Sequence, residues 1–135
     1  LHVRDHATAI EVVLKTAKPG SVYNIGGNNE WANIDTVKLL CQLVDELFAA
    51  DASLRARFPG CPAASGKPNA SLITFVTDRP GHDTRYAINA SKIMSELGYK
   101  PLAGFDEGLR KTVQWYLDNE AWWRKILDGS YRQGF

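Results

Sequence analysis

An apolar stripe between residues 34 and 48 constrains the fold more than any other feature of the sequence. Its members recur three and four residues apart, and they are Ile34, Val37, Leu40, Cys41, Val44, Leu47 and Phe48. This spacing places them on one face of an α-helix, and such a face must be buried against other apolar elements. The stripe therefore predicts an amphipathic helix over 34–49 in a globular protein, with Asn33 well placed as its N-cap.

The rest of the chain divides into shorter helical segments and short apolar runs. Helical spacing predicts four further helical segments, at 6–16, 90–97, 105–119 and 122–127. Apolar runs bounded by turn residues predict short strands at 1–3, 21–25, 72–76 and 85–88. Because helices and strands alternate loosely, the sequence favours an α/β protein that is helix-rich with short strands.

Capping residues predict where two of these helices begin and end. Asp5 is the expected N-cap of the helix at 6–16. Asn89 can cap the helix at 90–97, and Gly98 is placed to end it.

Two segments have no periodic pattern. Residues 50–70 contain three prolines among small and polar residues and predict a long loop, with one helical turn near 52–57. A loop of this length is functional, mobile or an insertion. Residues 128–135 are polar with two aromatics and are predicted to form a tail.

Charge and cysteine content argue against several classes of function. The 135 residues include 16 basic and 15 acidic side chains, so a net charge of +1 predicts no bulk attraction to nucleic acid or a membrane. Cys41 and Cys61 have no zinc-site spacing and form no disulfide framework, so we expect free thiols in a reducing compartment. His2 and His6 are four apart, but no third ligand accompanies them, and no metal site is expected.

The start of the chain suggests that it belongs to something longer. Leu1 opens directly into an apolar run, and Met94 is the single methionine. We therefore expect these residues to be a piece of a longer protein.

The turn Asp78-Arg79-Pro80-Gly81-His82-Asp83 is the most informative polar stretch. One interpretation is a plain tight turn with a local ion pair between Asp78 and Arg79. The other is an anion-binding turn, because a guanidinium and an imidazole both donate hydrogen bonds to anions. Asn33 also has two interpretations, either as a structural cap or as an amide directed at a ligand.

No reaction centre is visible in the sequence. It contains no Gly-x-Ser-x-Gly elbow, phosphate-binding P-loop, His-Glu-x-x-His or Tyr-x-x-x-Lys pair. Gly26-Gly27 lacks the three spaced glycines of a dinucleotide fingerprint. The sequence thus predicts a binding part with no catalytic, cofactor-binding or metal-ligating residues of its own.

Five motifs together resemble a known family. In chain order they are Asp5-His6-Ala7, the stretch 23–30, the turn 78–83 with 85–88, Leu97-Gly98-Tyr99 and the stretch 110–116. Over essentially the whole chain, they are similar to the C-terminal portion of the dTDP-glucose 4,6-dehydratases. That family belongs to the extended short-chain dehydrogenases/reductases of the NAD-binding Rossmann superfamily.

The resemblance implies a division of labour. An N-terminal Rossmann domain would bind NAD and supply the catalytic residues, and residues 1–135 would form the C-terminal substrate-binding portion. The strand at 21–25 would be an edge strand of the Rossmann sheet. The family oxidises the sugar of a dTDP-sugar at C4, eliminates water across C5–C6 and returns the hydride to C6. A cytoplasmic homodimer is implied for the full-length enzyme.

The resemblance also implies a substrate site, with Arg79 and His82 directed at the nucleotide end. The residues concerned are Asn33, Asp78, Arg79, Pro80, Gly81 and His82. The 50–70 segment looks longer than is usual in the family, so the resemblance assigns no ligand contact to it. Two alternatives stay open: a non-catalytic nucleotide-sugar-binding module, and part of a related nucleotide-sugar epimerase or decarboxylase.

Overall fold

A computed structural model of the chain describes residues 1–83 and 85–134, except for the side chains of 133 and 134. Within these residues lie six α-helices: α1 Val3–Thr16, α2 Asn33–Ala50, α3 Ser53–Arg57, α4 Ser91–Leu97, α5 Phe105–Asp118 and α6 Glu120–Leu127. Three short 3₁₀ helices span Pro62–Ser65, Asn69–Leu72 and Ser130–Gly134. No helix in this part of the chain is long and apolar enough to cross a bilayer.

Helix α1 begins earlier than its capping signal predicts. His2 is the N-cap, and its Nδ1 accepts a hydrogen bond from the backbone N–H of Arg4 at 3.3 Å. Asp5 is instead inside the helix and only 4% exposed. Its two carboxylate oxygens accept from the backbone N–H groups of Leu102 and Ala103, each at 3.1 Å. The assignment of Asp5 as N-cap is therefore wrong, because its carboxylate accepts hydrogen bonds from residues that are distant in the sequence.

The predicted helix is confirmed as α2, although its start differs from the prediction and Leu40 of the stripe is 39% exposed. Asn33 is the first helical residue and not the cap. The carbonyl oxygen of Ala32 accepts from the backbone N–H groups of Asp35 and Thr36, each at 3.1 Å. Phe48 of the stripe is buried, as is Leu43 beside it.

The predicted short strands are wrong for the residues that the structure describes. Residues 1–3 enter α1, and 21–25, 73–76 and 85–88 run without helical or strand structure. A strand needs a neighbouring strand to pair its backbone groups, and these segments have none within the described chain. Phe75 and Val76 are each 84% exposed, so they form no buried strand. The helix-rich part of the prediction is confirmed.

The segment 50–70 contains more regular structure than a loop. Helix α3 confirms the predicted helical turn, and two 3₁₀ helices follow it. The predicted tail also contains a 3₁₀ helix over Ser130–Gly134, and Phe135 lies outside the described residues.

The chain divides into two compact units, and the division falls within α2 and within α5. The first unit comprises Leu1–Leu39 and Leu72–Gly108, and the second comprises Leu40–Ser71 and the residues from Leu109 onward. In the first unit, Ala9 of α1 packs with Ala90, Ile93 and Tyr99 around α4. Gly98 ends α4 with φ of +67°, a left-handed conformation that glycine adopts without strain.

The second unit has its own core and its own polar contacts. Phe48, Leu54 and Ala63 form its buried apolar cluster. The backbone N–H of Asn69 donates to Asp45 Oδ1 at 3.1 Å, so the carboxylate fixes the end of the 50–70 segment.

A substitution of Asp5 tests whether its carboxylate holds the first unit together. Asp5→Asn keeps the size of the side chain but leaves one acceptor oxygen for the two backbone N–H groups of Leu102 and Ala103. A hydrogen bond to a charged group is worth ~1.5–3 kcal/mol, so the free energy of unfolding should fall by that amount. Urea denaturation followed by circular dichroism measures the change.

Glu11→Gln removes one carboxylate charge from the exposed pair that Glu11 forms with Lys15, and serves as the control. It should leave the urea midpoint almost unchanged. Equal effects of the two substitutions would contradict a special role for Asp5.

Candidate functional site

The turn at 78–82 is held by its backbone. The N–H of His82 donates to the carbonyl oxygen of Arg79 at 3.3 Å, which closes the bend over Pro80 and Gly81. Gly81 has φ of +73°, a conformation that side-chain-bearing residues adopt only with strain. Pro80 fixes its own φ, so the two residues together hold the flanking side chains in place.

The carboxylate of Asp78 pairs with His82, which corrects one interpretation of the sequence. His82 Nδ1 lies 2.7 Å from Asp78 Oδ1 and 2.9 Å from Oδ2. Oδ1 also accepts from the backbone N–H of Arg79 at 2.8 Å. The hydrogen bond with His82, and then that with the Arg79 backbone, hold the pKa of Asp78 below its ordinary 3.8. The expected side-chain ion pair between Asp78 and Arg79 is not among the described contacts.

The guanidinium of Arg79 is available to a ligand. It is exposed and has no hydrogen-bond or ion-pair partner in residues 1–83 and 85–134. A guanidinium presents several N–H donors in one plane, which match the oxygens of a phosphate or carboxylate. The turn therefore offers one unengaged cation next to one imidazole that is held by a carboxylate.

Asn33 takes no part in these hydrogen bonds within the described chain. It is an exposed residue at the start of α2 and, like the turn, belongs to the first unit. Within the described chain, no hydrogen bond joins it to residues 78–82. Of the six predicted site residues, five are thus brought together in one turn, and Asn33 is not linked to them.

Sequence reasoning missed the contacts that anchor the segment before α2. Glu30 Oε2 accepts from Arg85 Nε at 2.8 Å. Trp31 stacks on Phe105 with ring centroids 4.8 Å apart. The only signal for the first contact is a pair of opposite charges 55 positions apart, which spacing alone does not connect.

A shallow groove of about 460 Å³ lies elsewhere in the first unit. It is lined by His6 and by residues of the two extended segments 23–25 and 87–89. None of the predicted site residues lines it, and its lining contains no carboxylate that could act with the imidazole. The groove therefore does not coincide with the turn.

The arrangement suits binding better than catalysis. Arg79 and His82 can donate to an anion, but no nucleophile lies within hydrogen-bond reach of a base at the turn as described. The described residues contain no group of three or more side chains that could hold a metal ion. The sequence contains no glycine fingerprint of the kind that binds a dinucleotide.

Comparison with known sequences identifies close relatives. The family described as GDP-mannose 4,6 dehydratase matches residues 1–112. The dTDP-glucose 4,6-dehydratase of Neisseria meningitidis serogroup B is 51% identical over 132 residues, which are 98% of this chain and 34% of the relative. An enzyme of the same name from Escherichia coli is 47% identical over 131 residues, 97% of this chain and 33% of the relative.

A solved structure agrees with the sequence relatives. The crystal structure of dTDP-glucose 4,6-dehydratase from Bacillus anthracis strain Ames in complex with NAD is similar to this chain with a TM-score of 0.70. It is 42% identical, and the similarity covers 93% of this chain and 33% of that one. The chain thus spans about a third of the length of the relatives that it matches.

The contact between Asp78 and His82 gives a measurable pKa. His82→Ala should raise the pKa of the Asp78 carboxyl toward 3.8, because its largest stabilising hydrogen bond is lost. Carboxyl ¹³C NMR during a pH titration measures it. Since the folded pKa is the lowered one, the contact is present above the ordinary pKa and is lost as pH falls through the lowered value.

His6→Ala removes an imidazole from α1 and is the control. It should leave the Asp78 titration unchanged. An Asp78 pKa that does not respond to His82→Ala would mean that the two side chains are not paired in solution.

Proposed function

Because the chain belongs to the GDP-mannose 4,6 dehydratase family, we propose that it forms the nucleotide-sugar-binding C-terminal part of a dTDP-glucose 4,6-dehydratase. The single observation that supports this most is the turn at 78–82, where the unengaged guanidinium of Arg79 lies beside an imidazole held by Asp78. The names of the relatives support dTDP-glucose as the substrate.

The proposed substrate contacts follow the chemistry of a nucleoside diphosphate. A diphosphate carries about two negative charges at neutral pH and suits a planar guanidinium. We place the diphosphate or its neighbourhood at Arg79, with His82 hydrogen-bonding the same region and Pro80-Gly81 shaping the turn. Asn33 would contribute an amide to the ligand from the start of α2.

The chemistry itself would be performed outside these 135 residues. In this proposal NAD and the catalytic residues belong to the remaining length of the enzyme, in a Rossmann domain of the extended short-chain dehydrogenase/reductase type. The segment 21–25 would complete the edge of its sheet. The sugar would be oxidised at C4, dehydrated across C5–C6 and reduced at C6, and this chain by itself would not turn over substrate. A cytoplasmic homodimer is proposed for the whole enzyme.

Two observations favour alternatives. The family description names a GDP-sugar, whereas the relatives are named for dTDP-glucose, so the preferred nucleotide base needs to be tested. The turn as described contains no nucleophile within hydrogen-bond reach of a catalytic base, and this favours a non-catalytic nucleotide-sugar-binding module. An epimerase or decarboxylase of the same superfamily is less favoured, because the Asp-Arg-Pro-Gly-His-Asp turn resembles the dehydratases more particularly.

Binding of dTDP tests the proposed contact. Arg79→Ala should weaken dTDP binding by roughly ten- to a hundredfold, because a hydrogen bond to a charged group is worth ~1.5–3 kcal/mol. Isothermal titration calorimetry with the 135-residue chain measures the dissociation constant, with GDP as the second ligand. The proposal expects tighter binding of dTDP than of GDP.

Arg55→Ala is the matched control, because Arg55 is an exposed arginine of α3 and lies outside the turn. It should leave the affinity for dTDP unchanged. Equal affinities of the Arg79→Ala variant and the unsubstituted chain would remove Arg79 from the site.

A further inference from the structure

Asp78 is unusual among the proposed substrate contacts because it is an acid in a site meant for an anion. A free carboxylate beside a diphosphate would repel it and weaken binding. In the structure, however, both carboxylate oxygens lie within hydrogen-bond distance of His82 Nδ1, at 2.7 and 2.9 Å. One of them also accepts from the backbone N–H of Arg79. The carboxylate is therefore already engaged inside the turn.

This geometry determines which atom of His82 a ligand meets. When Nδ1 donates its proton to Asp78, the ring is held in one orientation and one tautomer. The other ring nitrogen, Nε2, has no hydrogen-bond partner in the described chain. The side chain of His82 is 42% exposed, which leaves room for a ligand to approach the ring.

We propose that Asp78 is a positioning residue that acts on the ligand only through the turn. Its carboxylate holds the imidazole of His82 by Nδ1, so that Nε2 is the atom offered to the nucleotide-sugar. The same carboxylate accepts a hydrogen bond from the backbone N–H of Arg79. It thereby fixes the backbone that carries the guanidinium, which contacts the ligand directly. This inference rests on the proposed function and changes the role of Asp78 from a ligand contact to a support for one.

A double-mutant cycle on dTDP binding separates the two roles. Asp78→Ala should weaken binding by about threefold to tenfold, the value of one net hydrogen bond. In a His82→Ala background the same substitution should have a smaller effect, since the action through the ring is already lost and only the hydrogen bond to the Arg79 backbone remains. Asp78→Asn keeps an acceptor oxygen and should recover part of the affinity.

Asp83→Asn is the matched control, because Asp83 is the neighbouring acid of the same turn and makes no hydrogen bond to His82 within the described chain. It should not weaken dTDP binding.

Amide side chains in place of His82 give a second comparison. His82→Gln places its amide near the position of Nε2, and His82→Asn places its amide near that of Nδ1. The glutamine variant should retain more affinity.

A measurement without ligand keeps the inference testable if a variant binds poorly. ¹⁵N NMR of histidine-labelled chain reports the tautomer of His82, one of three histidines in the sequence. The neutral ring should carry its proton on Nδ1, and Asp78→Ala should move it to Nε2. A neutral ring protonated on Nε2 in the unsubstituted chain would overturn the inference.

The outcomes distinguish this inference from the proposed function. If Arg79→Ala weakens dTDP binding but the losses from Asp78→Ala and His82→Ala multiply, Asp78 contacts the ligand itself, and only the inference fails. If the unsubstituted chain does not bind dTDP, both fail. If the losses do not multiply and the tautomer shifts as expected, the positioning role is supported.

Discussion

The first unit depends on a buried carboxylate. Asp5 lies inside α1, yet its oxygens satisfy two backbone N–H groups located 97 and 98 positions later, immediately before α5. Asp5 itself is only 4% exposed, and a buried carboxylate is costly unless it is hydrogen-bonded, so this side chain favours the contact between the two distant segments. Tyr99 is buried close by, and its pKa is raised by that burial and then by the charge of Asp5. Where α5 begins, Gly108 leaves room for His2, since a Cβ there would lie 3.3 Å from the Cβ of His2.

The candidate turn belongs to the same unit, but local constraints and not the core give it its shape. The turn at 78–82 contributes little to the core, because its residues are exposed. Its shape comes from Pro80, Gly81 and the carboxylate of Asp78, which are local constraints. This separation is typical of binding sites, in which an exposed turn presents side chains from a packed scaffold. A change in the turn should therefore affect ligand binding more than folding.

Sequence reasoning succeeded where structure is determined locally. The helix at α2 and the glycine that ends α4 depend on neighbours three or four residues away, and both are found as expected. The strands predicted at 21–25 and 72–76 are not formed within the described chain, because a strand is defined by a partner that the spacing of its own residues does not reveal. Asp5 failed as a cap for a related reason, since its partners are far along the chain. At the turn, one interpretation of the sequence paired Asp78 with its neighbour Arg79, whereas the structure pairs it with His82.

The central claim is that this chain supplies the substrate-binding part of a dTDP-glucose 4,6-dehydratase. The most direct measurement is turnover by a chimera in which this chain replaces the matching third of the Escherichia coli relative. The account predicts that the chimera converts dTDP-glucose to the 4-keto-6-deoxy product. The same relative without its matching third should be inactive. A chimera that folds and binds NAD but does not convert dTDP-glucose would contradict the account.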